Sequence, residues 1–281
     1  MRFLSFLAVA VALGCSSAPS KNNAAARQDA AIEANRRGEA YVRHGELENA
    51  ARSYGEALRL SQSLEDPDGI AANAVNLSIV RQRQGRFADA RSSLAAVLDQ
   101  PNLRFAPLRL AEVSLRHALL ELDQDRFPEA EGWLSRSSAY CAERCALSAA
   151  IHNTRAQLAL RARRVDEAAA AARAAHDAAR AAGDPAEQAN ALRLLGIAAL
   201  QGGDAVKARA QLEQALALDR EIGAPRKIAL DLLALGRAAA LAGERDAARA
   251  YYARALAVSE ADRDAIGAAQ ARAMLDAATG K

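Results

Sequence analysis

With 281 residues, 51% of them apolar but only 4% aromatic, the chain must build its interior mainly from alanine and leucine, both strong helix formers. Its 37 basic and 34 acidic side chains nearly balance, for a net charge of +3. That is a mixed, soluble surface without the clustered Lys and Arg of a nucleic-acid footprint, and no β-branched run competes with a helical reading.

At the start, Arg2 precedes the apolar run Phe3–Leu13. That run is shorter than the about 20 residues a membrane-spanning helix needs, and it fits the apolar core of a secretory signal peptide. Ala12-Leu13-Gly14-Cys15 then resembles a bacterial lipobox, with Leu13 where a small residue is usual. The resemblance implies removal of residues 1–14 as a lipoprotein signal peptide and acylation of Cys15, which then anchors the chain to a membrane. An ordinary signal with an incidental cysteine is the alternative. Ser16-Ser17-Ala18-Pro19-Ser20 is small, polar and proline-interrupted, so residues 15–28 are expected to form a flexible tether. Ser16 behind the acylated cysteine resembles the outer-membrane sorting pattern of Gram-negative lipoproteins, which implies an outer-membrane lipoprotein facing the periplasm.

From residue 29 to 260 one pattern recurs. The unit at 31–64 carries Gly38, Tyr41, Gly45, Ala50, Tyr54 and Ala57, and that at 71–104 carries Leu77, Gly85, Phe87, Ala90 and Leu94. The unit at 111–144 keeps Ala118, Phe127, Ala130 and Leu134, and that at 149–182 keeps Ala156, Val165, Ala168 and Ala175. The fullest version runs from Asn190 to Gly223: Leu192, Leu195, Gly196 and Ala199 share one helical face, Gly203-Asp204 breaks it, and Ala208, Leu212 and Ala215 make a second face. It repeats as Leu232, Leu235, Gly236, Ala239, Gly243, Ala248, Tyr252 and Ala255. Each unit reads as a helix-turn-helix hairpin, with a small residue where the helices approach and a large one beside it. Turns fall at 45, 85, 125, 163, 203 and 243, at intervals of 40, 40, 38, 40 and 40 residues. Residues 261–281 follow without a partner helix and read as a capping helix and tail.

These residues resemble the tetratricopeptide repeat, whose usual unit is about 34 residues; the longer interval is similar to the extended repeats of kinesin light chain-like proteins. The resemblance implies an all-α fold, a right-handed α-solenoid of about six hairpins with a C-terminal capping helix. It also implies a binding scaffold, in which the first helices line a concave groove for a protein or extended peptide. Transferring the groove positions unit by unit places Asn35, Glu39 and Arg43, then Asn76 and Arg83, Arg116, then Asn153, Gln157 and Arg161, and finally Arg193 and Arg237 against that partner. Arg43, Arg83 and Arg161 share one repeat position and should form a basic row.

Little else in the sequence suggests chemistry. Cys141 and Cys145 stand where the interval shortens; in an oxidising compartment they read as a disulfide, with two free thiols or a zinc site with His152 and His117 as alternatives. The histidines stand in no nucleophile motif, and the chain has no phosphate-cradling glycine loop. The expectation is therefore no enzyme, no cofactor and no small-molecule substrate. It is a lipid-anchored scaffold that assists envelope, pilus or secretion-machine assembly, similar to pilotin-type lipoproteins; a passive structural or sensory peptide-binding module is the alternative, and a hydrolase a more distant one.

Overall fold

The computed structural model describes residues 21–100, 102–141 and 145–279; Cys15 and its flanks lie outside them. Among the described residues the chain forms thirteen helices and no strand: α1 (Lys21–Arg43), α2 (Leu47–Ser63), α3 (Pro67–Arg83), α4 (Phe87–Leu98), α5 (Pro107–Asp123), α6 (Phe127–Tyr140), α7 (Ser148–Arg161), α8 (Val165–Ala182), α9 (Pro185–Gln201), α10 (Ala205–Ile222), α11 (Pro225–Leu241), α12 (Arg245–Ala261) and α13 (Ala265–Thr279). Consecutive helices pack as hairpins. All six expected turn positions are left-handed, with φ of 76° at Gly45, 75° at Gly85, 57° at Asp125, 61° at Arg163, 80° at Gly203 and 79° at Gly243. The interval therefore located the turns even at Asp125 and Arg163, where no glycine marks the left-handed residue.

The first helices of neighbouring hairpins touch one another, as α3 does α5 and α7 does α9, whereas successive second helices do not among the described residues. That asymmetry makes an α-solenoid with the first helices as its inner layer. The small-against-large pairing that fixes each hairpin is visible in three repeats. A Cβ built on Gly38 would lie 2.7 Å from the Tyr54 ring, one on Gly196 2.5 Å from Leu212, and one on Gly236 2.3 Å from Tyr252. Tyr54, Leu212 and Tyr252 are each buried, so the glycine is the recess that accepts the large side chain.

Local signals set the ends. Gly183 ends α8 with φ of 66°, Pro185 opens α9, and the Asp184 carboxylate accepts from the Ala186 and Glu187 amides at 3.0 Å each. The reciprocal half of a capping box does not form. Glu187 instead accepts from the Asn153 side-chain amide of the previous repeat at 2.7 Å, because α7 packs directly beside α9. At the N-terminus α1 already begins at Lys21, within the stretch expected to be tether; Ala24, Ala25 and Ala26 supply the helix propensity. In the shortened interval Cys141 and Cys145 are joined as a disulfide with Cα atoms 5.4 Å apart. Forty residues after Gly223, Arg263 repeats its left-handed backbone with φ of 55°, so α13 occupies the register of a seventh first helix. It buries Ala271 and rests Met274 and Leu275 on the last core cluster.

Candidate functional site

The inner face of the first helices carries the residues assigned to the groove, and their surroundings divide them in two. Arg43, Arg83 and Arg237 are exposed, and no hydrogen bond or ion pair engages their side chains among the described residues. The charges of Arg43 and Arg83 partly offset the rise that burial and Glu39 give the Tyr54 phenol's pKa. Glu39 is exposed beside them, and Asn76 and Gln157 are half-buried. The basic row is interrupted, however. The third repeat places Asp123 at the row position, and Arg161 turns towards it at 3.8 Å while donating to Asp125 at 2.8 Å.

The other assigned residues spend their polar groups on their own chain. Asn35 donates to Asn73 of the next first helix at 2.7 Å. Asn153, 3% exposed, donates to the Glu187 carbonyl at 3.0 Å as well as to its carboxylate. Arg116 is buried against α3, where Ser78 Oγ accepts at 3.2 Å and Gln82 also accepts, and burial lowers its pKa to about 10. Arg193 is the clearest correction: it is 6% exposed and donates to Asp231 Oδ1 at 2.6 Å, to Asn190 at 2.9 Å and to Asp219. A first-helix residue in this register points towards the neighbouring first helix, so a long polar side chain there meets the next repeat before it meets a ligand.

Sequence reading missed the partners. The signal was partial: at the register of Asp231 the other repeats carry Glu33, Asn73, Val113, Ile151 and Ala191, and at the register of Asp219 they include Ser61 and Ser259. Two acids at positions where the adjoining repeats carry none announce a buried cation between them. Burial pushes the Asp231 pKa up to about 7 even though Arg193 opposes the shift.

A second missed cluster centres on His117, which is 7% exposed and stacks on the Trp133 ring with centroids 4.1 Å apart. Arg136 covers the ring at 4.5 Å from its centroid. Burial, and then Arg91, Arg116 and Arg136, lower the His117 pKa to about 4. Unfolding lets this imidazole take a proton near its ordinary 6.5, so its contribution to stability is full above that pH. It is lost as pH falls towards about 4, by on the order of 3 kcal/mol. His117→Phe keeps a ring on Trp133 and should flatten the melting temperature across this window. Because Trp133 is the one tryptophan, its emission in the folded parent should change near pH 4, where His117 titrates, and not in the variant. Identical profiles for the two proteins would refute the assignment.

No protein-family model matches the chain, and no curated protein does. Solved structures resemble it. A Signal Transduction ATPase with Numerous Domains from Pyrococcus horikoshii, with a tetratricopeptide repeat sensor, superposes with a TM-score of 0.66 at 15% identity over 92% of this chain and 40% of that one. A Rap protein complexed with Competence and Sporulation Factor gives a TM-score of 0.64 at 15% identity over 92% of this chain and 71% of that one. BtubC from P. vanneervenii gives 0.60 at 22% identity over 85% of this chain and 93% of that one. The fold is thus that of the tetratricopeptide repeat.

Proposed function

We propose that the chain is a lipid-anchored periplasmic adaptor that holds an extended, acid-bearing polypeptide segment along its first-helix surface and assists assembly in the cell envelope. The carrying observation is that Arg43, Arg83 and Arg237 remain exposed and unengaged among the described residues, while Asn35, Arg116, Asn153 and Arg193 are spent within the chain. Free guanidinium groups offer forked donors that match a carboxylate. The fold supports the same class of work: scaffolds of this kind bind rather than react, although a fold alone names no partner. A sensory version of the reading is favoured by one neighbour, the Rap protein complexed with Competence and Sporulation Factor.

Crosslinking in the native host identifies the partner, and titration then tests the surface. Reversing Arg43 and Arg83 together to Glu should weaken binding by about tenfold or more, and binding by the parent should weaken with added salt. Arg173→Glu, exposed on the second helix α8, should bind as the parent does. Equal affinity of the Arg43/Arg83 variant and the parent would move the interface elsewhere. Arg193 is unsuitable for this test, since its loss disturbs the fold.

The anchor is tested separately. Acyl chains together hold a protein stably on a membrane where one chain binds only reversibly, so the parent should resist salt washing and need detergent. Cys15→Ser should appear in the soluble periplasmic fraction. A salt-extractable parent would refute the lipoprotein reading while leaving the binding surface standing.

A further inference from the structure

A cavity of about 630 Å³ lies between α1, α2, α3 and the turn that precedes α4. It is lined by Arg52, Arg59, Arg81 and Arg86, with Tyr41 and Gly55 among the other walls. From this geometry we propose an anion site there, for a ligand that carries a phosphoryl group.

Four guanidinium groups face one space, and their internal engagements leave donors free. Arg81 is half-buried and donates from one terminal nitrogen to the Asp89 carbonyl at 2.9 Å and to Ser93 Oγ at 2.8 Å, both uncharged acceptors. Arg86 uses Nε on the Asp89 carboxylate at 2.6 Å, and Arg52 donates to the Asn49 side chain. No side-chain partner engages Arg59 among the described residues. The cavity also contains two acids. Glu56 is held by Arg37 at 2.8 Å, outside this group, and Asp89 pairs with Arg86, which leaves Glu48 against Arg52, Arg59 and Arg81. Burial lowers the Arg81 pKa, Asp89 partly opposes the shift and Arg86 adds to it; a bound anion would offset the lowering.

Gly55 points the same way. It lies inside α2, where glycine weakens a helix relative to alanine. Its backbone needs no left-handed φ, and a Cβ there would meet only Arg59 Nη1, at 3.8 Å. Packing does not call for a glycine at this position, unlike at Gly38, Gly196 and Gly236; the missing side chain leaves the cavity wall open. The volume falls within the roughly 300–1,000 Å³ range of small-molecule sites, and forked guanidinium donors suit phosphate oxygens. The site shares α1 and α3 with the peptide surface but none of the residues assigned to it, and stands independently of it.

The phosphoryl group could belong to a free organophosphate or to a phospholipid headgroup, and two arms of one experiment separate them. The full chain is titrated calorimetrically with inorganic pyrophosphate, with sodium sulfate at matched ionic strength as the reference. It is also sedimented with phosphatidylglycerol or phosphatidylcholine vesicles, using the Cys15→Ser form so that acylation does not contribute. Pyrophosphate saturation at concentrations where sulfate gives none, weakened by about tenfold in Arg59→Ala, supports a free phosphate. Sedimentation with phosphatidylglycerol alone, lost in Arg52→Ala/Arg59→Ala, supports a headgroup. Gly55→Leu fills the wall without changing charge and should abolish whichever binding is seen while retaining the parent's melting temperature. Binding in neither arm, or binding unchanged in the arginine and Gly55 variants, overturns the proposal.

Discussion

Gly236→Leu should lower the melting temperature sharply, because the recess that receives Tyr252 would be filled from the other side. A Cβ alone would stand 2.3 Å from Cε1 of a ring that is 3% exposed. The ring can yield only by leaving a core in which Leu232, Leu235, Ala248 and Ala255 are also buried. Overpacking of this kind costs about 1–3 kcal/mol or more. Gly196→Leu should behave alike against Leu212. Gly132→Ala, in the interior of α6, is the matched control, since a Cβ there meets nothing within 4 Å. It should leave stability unchanged or raise it slightly, by less than about 1 kcal/mol. Thermal melts followed by circular dichroism decide it; equal melting temperatures for the Gly236 and Gly132 variants would show that the hairpin contact is misassigned.

The second large effect concerns the triad that joins the fifth and sixth repeats. Arg193→Leu should strand Asp219 and Asp231, 2% and 0% exposed, without their cation. Removing one member of a buried ion cluster costs about 3–5 kcal/mol. A solenoid is stabilised by nearest-neighbour interfaces, so amide exchange should accelerate in α11–α13 before it does in α1–α4. The triple change Arg193→Leu, Asp219→Ser, Asp231→Ala installs residues that other repeats use at those registers, and it should recover most of the loss. If the triple variant is less stable than the single one, the triad contributes more than mutual neutralisation.

The pH dependence has a definite sign. The folded-state pKa of Asp231 is raised to about 7 from an ordinary 3.8, so the folded chain keeps a proton that the unfolded chain has lost. Its contribution to stability is therefore present at low pH and lost as pH rises through about 7. Asp231→Asn, which holds the neutral form, should flatten that dependence. His117 has the opposite slope over an overlapping window, so each single variant is needed to expose the slope of the other group.

Much of this protein was legible in one dimension. Intervals of 40, 40, 38, 40 and 40 residues located every hairpin turn, since each repeat buries its apolar stripe only against its neighbours and the period must persist. Gly196 with Leu212, and Gly236 with Tyr252, marked the hairpin contacts for the same reason. The candidate surface was less legible. Register alone put Arg43, Arg83, Arg161 and Arg193 on the inner layer, but it could not show that Arg161 meets Asp125 or that Arg193 is buried between Asp219 and Asp231. The Arg52, Arg59, Arg81 and Arg86 cavity was not visible in the sequence, because it spans three helices of two repeats. Backbone periodicity depends on local apolar spacing, which a sequence states directly. Whether a long polar side chain faces solvent or a counter-ion depends on distances across repeats, and only the packed structure determines those.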